Sequence, residues 1–151
     1  MLIVLTKLDD QRHRLEIRRD DGSAESVELE TRSLLLHDLV HYAVEAEAGI
    51  EDGFWGLLAR GVSMSALSDR TLTQPLSPGI VLAEKLVGPM QSVWNGRLEA
   101  SRYLEHAAPA APGIVDAAFV ERVRARLRAL WGHWRATPFR SPMELRWPPS
   151  V

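Results

Sequence analysis

Over the first thirty residues, hydrophobic positions recur at every second place, the period of a half-buried β-strand. Leu2 to Leu8 is apolar and β-branched. Asp9-Asp10-Gln11 reads as a turn. From His13 to Arg19 the polarity alternates, with Leu15 and Ile17 on one face and Arg14, Glu16 and Arg18 on the other. Asp20-Asp21-Gly22-Ser23 is a hairpin signal, because Asp-Gly tolerates the positive φ of tight hairpin turns. In the third strand Val27 and Leu29 point one way and Glu28 and Glu30 the other. The pattern predicts a three-stranded antiparallel meander with one face to be covered by helices.

After residue 30 the period lengthens to that of a helix. Thr31 or Ser33 offers an N-cap. Leu34 to Ala48 contains neither Gly nor Pro, and Gly49 is a C-terminal stop. A short helix is expected over Gly53 to Arg60, ending at Gly61. Val62 to Gly79 reads as a long loop with a helical turn around Met64 to Ser68. Pro78 suits a helix start, so the next helix is expected from Gly79 or Ile80 to about Ala107, with a kink or break near Gly88 caused by Pro89. Ala107 to Gly113 reads as a linker. Phe119, Val123, Leu127, Leu130 and Trp134 stripe a last helix from about Ile114 to Ala136. The proline-rich tail, Thr137 to Val151, should be extended. The reading is an α+β fold in one domain, residues 1–151: a β-meander (1–30), a body of three to four helices (31–136) and an extended tail (137–151).

Composition narrows the class. The 151 residues are 46% hydrophobic and 25% charged, with net charge −2, an ordinary soluble-domain balance. No apolar run approaches the ~18 residues of a membrane span, and the N-terminus lacks the features of a secretory signal. With no cysteine, disulfides, thiolate catalysis and Cys-ligated metals are excluded. These features suit the cytoplasm. The excess of arginine over lysine suits a GC-rich bacterial genome. Phosphate-binding loops, dinucleotide fingerprints and serine-hydrolase elbows are missing.

Candidate chemistry concentrates in His37-Asp38-Leu39-Val40-His41-Tyr42-Ala43-Val44-Glu45. Histidines four apart stack on one helix face, the spacing at which two imidazoles grip one metal ion. A helical wheel places both at the border of the apolar stripe. A third ligand is required. Glu45 is a poor choice, since eight residues of helix rise ~12 Å. Beyond the break at Gly49, the chain can bring Glu51 or Asp52 back to the histidines. His13, His106 and His133 could contribute from elsewhere. Phe54 and Trp55, set among glycines, are core residues that would also wall such a site, together with Tyr42. The block from Leu36 to Gly61 resembles small bacterial proteins of unknown function. His37-Asp38-x-x-His41 followed by Glu51 also resembles the zinc-binding H-D-x-x-H…E signature of the coenzyme Q biosynthesis scaffold family. That likeness spans about fifteen residues and implies His37, Asp38, His41 and Glu51 as metal ligands and zinc as the foremost ion.

Charge is uneven: residues 1–119 carry net −7 and residues 120–151 net +5. Arg122, Arg124, Arg126 and Arg128 crowd the last helix. They alternate every second residue and so spread around it, which favours docking on the acidic body over nucleic-acid binding. Two functions stand against each other. One is a divalent-metal protein, with metal-activated hydrolysis as the simplest chemistry. The other is a non-catalytic module that holds a protein partner or a second copy through the Arg-rich helix and the Pro/Trp tail, where Trp147 has little local core to enter.

Overall fold

The computed structural model describes residues 1–69, 71 and 73–149; the remaining positions of the 62–79 loop and of the tail lie outside the described residues. Strands β1 (Leu2–Lys7), β2 (Arg12–Arg18) and β3 (Ala24–Glu30) form the expected meander. The tail adds a fourth strand, and the sheet order is β3-β2-β1-β4, antiparallel throughout. Strand β4 (Pro142–Arg146) opens on its proline, where the missing N–H is tolerated, and then alternates Met143 inward and Glu144 outward. The register aligns Met143, Leu5, Leu15 and Val27 in one row across all four strands.

Helices cover that row. The chain leaves β3 through a π-helical turn (Thr31–Leu35), whose Ser33 N–H donates to the Glu30 carboxylate. The cap is therefore Glu30, not Thr31 or Ser33, and the regular helix begins later than the hydrophobic pattern suggests. Helix α1 (Leu36–Ala48) ends at Gly49, φ +66°. Helix α2 (Phe54–Ala59) and the short α3 (Met64–Leu67) follow. Helix α4 (Pro78–Trp94) is capped by Ser77 and by the Asp52 carboxylate, which accepts from Gly79 N–H at 3.0 Å.

The expected break at Gly88 does not occur. Helix α4 runs through Pro89, because the buried Leu86, Val87, Met90 and Val93 outweigh one lost hydrogen bond. The chain breaks instead at Asn95-Gly96, where Gly96 takes φ +69°, before α5 (Ala100–Ala107). A 3-10 turn (Ala108–Ala110) leads on towards α6 (Ala117–Ala136), which starts three residues beyond Ile114 because Asp116 caps Phe119 N–H at 2.7 Å.

Helix α1 is the central element, packed on α4 and on α6. Arg122 and Arg126 of α6 both hold Glu47 of α1, at 3.1 and 2.7 Å, while Arg124 pairs with Glu121 of its own helix. Two of the four arginines thus dock the helix on the body. Trp147, expected to lack a core, is buried against Tyr42. Its N–H donates to Met1 C=O, and its own C=O accepts from the chain's N-terminal amine, both at 2.9 Å. Among the described residues no helix is long and apolar enough to cross a membrane.

Candidate metal centre

Helix α1 stacks His37, His41 and Glu45 on one face, and α4 lays Glu84 across it. Nitrogens of His37 and His41 and a carboxylate oxygen of Glu84 lie within 4.8 Å of one another. The two imidazole rings are 4.6 Å apart, centre to centre. His41 is buried, contrary to its expected place at the border of the apolar stripe. The turn at Gly49 folds α2 back, setting the Phe54 ring 5.4 Å from the imidazole, and α4 closes the other side.

The two nitrogens of His41 have different surroundings. Nδ1 lies 2.9 Å from Glu45 Oε1. That carboxylate is fully buried and also accepts from Phe54 N–H and Trp55 N–H, at 2.9 and 3.1 Å. Glu45 thus caps α2 and fixes His41 with one group. With both oxygens already accepting from α2, it accepts a hydrogen bond from Nδ1–H as well, which leaves Nε2 as the nitrogen turned towards Glu84. Gly53 permits this, since a Cβ there would sit 2.5 Å from the Glu45 carboxyl carbon.

Nε2 is 3.3 Å from Glu84 Oε1, close enough for charge attraction but off the line of a hydrogen bond. It is a buried ring nitrogen with no hydrogen-bond partner. Burial lowers the pKa of His41, but the Glu45 hydrogen bond and the Glu84 carboxylate outweigh it and raise the value to about 9. The same neighbour lowers the pKa of Glu84 against the opposing effect of its partial burial. Two carboxylates around one imidazole call for a cation at Nε2, and a proton or a metal ion meets that demand.

The donor set also fits a metal in kind and spacing. Two imidazoles and a carboxylate are a zinc ligand set that leaves one position open, and bonds of ~2.0–2.1 Å place tetrahedral ligand atoms about 3.3 Å apart. His41 Nε2 and Glu84 Oε1 already stand at that separation. His37 must close in, and its side chain, 40% exposed, faces the cleft edge-on to His41. Glu45 behind His41 is the outer-shell carboxylate that metal-binding histidines require.

The residues named from sequence separate into two groups. His37 and His41 come together. Asp38 is nearby, its Oδ1 3.8 Å from His37 Nδ1, and it lines the same cleft without joining the converging atoms. Glu51 does not reach the histidines. Its side chain is 89% exposed and faces Arg60 at 3.8 Å, because the turn after Gly49 directs it away from the α1–α4 seam. His13 is buried beside Thr31 and Trp134, and His106 and His133 are exposed elsewhere. Phe54 walls the site. Trp55 is core, with its indole N–H donating to Asp38 C=O at 3.3 Å. Tyr42 is buried too, its hydroxyl donating to Arg146 C=O at 2.8 Å rather than lying at the surface.

Glu84 is the member of the cluster that sequence reasoning missed. It lies 43 residues beyond His41, and only the packing of α1 on α4 joins them. One signal existed: Glu84 and Lys85 are the only charges on α4. Beside the cluster lies a cleft of about 650 Å³ between β2–β3, α1, α3 and the start of α4. A second cavity, about 480 Å³, holds Glu51 and Trp147 near Arg60 and contains neither histidine. No protein-family model, no curated protein and no solved structure matches this chain.

Proposed function

We propose that the protein binds one divalent metal ion, zinc foremost, through His37, His41 and Glu84, with Glu45 holding His41 from behind. The observation that carries this reading is the convergence of two imidazole nitrogens and a carboxylate oxygen, from His37, His41 and Glu84, within 4.8 Å of one another at the mouth of a cleft. Three protein ligands leave a fourth position for water, and a bound zinc ion lowers the pKa of that water towards neutrality. The open cleft next to the cluster gives a substrate access to it. Metal-assisted hydrolysis is therefore the activity this arrangement supports best. The interaction-module reading loses its main surface, since Arg122 and Arg126 are engaged with Glu47 and Trp147 is buried.

Elemental analysis after chelator treatment and reloading tests the proposal. One zinc per chain is expected for the wild type, near zero for His41→Ala, and weakened binding for Glu84→Gln. His106→Ala, remote and exposed, should retain the full amount. Wild-type protein that takes up no metal, or a Glu84→Gln variant that binds as tightly as wild type, overturns it.

A further inference from the structure

The lining of the cleft restricts what the metal centre can act on. Among the described residues no lysine or arginine lines it. Arg19, which pairs with the lining residue Glu25, is itself buried and also donates to Leu58 C=O and Val62 C=O. The charged groups that do face the cavity are carboxylates: Glu25, neutralised by Arg19, together with Asp38 and Glu84. The rest of the wall is mainly apolar, with Val27 and Leu29 from the sheet edge, Phe54 from α2, Leu67 from α3 and Ile80 from α4. These side chains are only partly buried in the protein itself. Their uncovered faces line the same cleft as His37, His41 and Glu84.

An ion of charge +2 there is offset by Glu84, by Glu45 through His41, and by the adjacent Asp38. A multiply charged anion would enter a site with no surplus positive charge and, among the described residues, no side-chain cation to hold it. A nucleotide or sugar phosphate is therefore a poor fit. An apolar chain, by contrast, gains from burial against these faces. At about 650 Å³ the space lies within the range of small-molecule sites.

We infer that the cleft takes an acyl compound, an apolar acyl chain carrying an uncharged amide or ester carbonyl, with the chain along Val27, Leu29, Leu67 and Ile80 and the carbonyl at the metal cluster. This rests on the metal reading above and adds the class of ligand to it. Cleavage would join water oxygen to the acyl carbon and break the bond from that carbon to the amine or alcohol. The leaving group departs with one proton from water, and the other proton goes to solvent. No oxidant or further reactant is needed.

Calorimetric titration of the zinc-loaded protein with three probes tests the inference. Octanohydroxamic acid, uncharged in solution near neutral pH, offers a metal-chelating carbonyl head on an apolar chain, acetohydroxamic acid offers the same head without the chain, and octyl phosphate puts the chain on a multiply charged anion. Octanohydroxamate should bind at least about tenfold more tightly than either of the others, since each buried methylene adds to affinity. Leu67→Asp and Ile80→Asp, tested separately, should each bring its affinity down towards that of acetohydroxamate. Zinc content is measured on the same samples. Protein that holds no zinc refutes the metal reading. Protein that holds zinc but binds acetohydroxamate or octyl phosphate as tightly as octanohydroxamate refutes the ligand class and leaves the metal centre standing.

Discussion

At the scale of single residues, the candidate centre depends on a division of labour among carboxylates that differ in burial. Glu84 is 58% exposed and can swing; Glu45 is fixed by three donors. Glu45→Gln keeps the shape but removes the charge opposite Nδ1, and zinc affinity should fall by about 10- to 100-fold, read by competition with a chromogenic chelator. A second histidine behaves in the opposite way. His13 is buried on β2 with Nδ1 3.1 Å from Thr31 Oγ1, and burial lowers its pKa despite the carboxylates of Asp38 and Glu30. Its neutral form is the one that fits the fold. The unfolded chain takes up the proton first, near pH 6.5, so stability falls as pH drops below that point until the lower folded value is reached. The slope for one proton is at most about 1.4 kcal/mol per pH unit. His41, with its raised value, acts in a separate window: in metal-free protein its contribution is complete below pH 6.5 and is lost as pH rises through about 9. Urea unfolding at pH 6.5 and pH 5 should show a loss of stability in the wild type that is reduced in His13→Gln. An equal loss in both proteins would place the acid sensitivity elsewhere.

At the scale of elements, the local signals that held were those with a backbone cause. Asp21-Gly22 made the hairpin, Gly49 closed α1, and the stripe from Phe119 to Trp134 built α6. Others failed where tertiary packing overruled a local preference. Proline in the tail concealed β4, although Met143, Glu144, Leu145 and Arg146 carry the alternation of a strand. Pro89 suggested a break that the buried face of α4 suppressed. The histidine pair was legible because four-residue spacing is a property of one helix. Its acidic partner Glu84 was not, since no pattern within α1 or α4 says which turn of one meets which turn of the other. The glycines test the distinction. In Gly53→Ala the new Cβ would displace the Glu45 carboxylate from Phe54 N–H and Trp55 N–H. The lost cap costs about 1–2 kcal/mol, and zinc binding should weaken with it, because His41 loses its support. Gly132→Ala, inside α6 with open space around the added methyl, should instead stabilise by about 1 kcal/mol and leave zinc binding alone. Thermal melts and zinc titrations on the two variants separate the effects.

At the scale of the whole molecule, the sheet and helices are closed together by the segment that the sequence predicts as an extended tail. Strand β4 covers the edge of β1, Met143 enters the central row, and Trp147 seals the far end against Tyr42. The same segment was the candidate partner surface, so its removal separates the two roles. If residues 142–151 held a second copy, a chain ending at Ser141 would be a folded monomer of lower assembly mass. The packing argues for the opposite result. Without β4, strand β1 presents a row of unpaired N–H and C=O groups with Ile3, Val4 and Leu5 beside them, and such an edge recruits other chains. Loss of the Trp147 side chain alone, in Trp147→Ala, removes a buried aromatic and should cost about 3–5 kcal/mol, a large part of the stability of a domain this size. The truncated chain should therefore show a lower unfolding midpoint in urea and a higher mass in light scattering, with aggregates at concentrations where the full chain gives none. A truncated protein that melts like the full chain and scatters as a smaller species would show that the tail serves association and not closure of the fold.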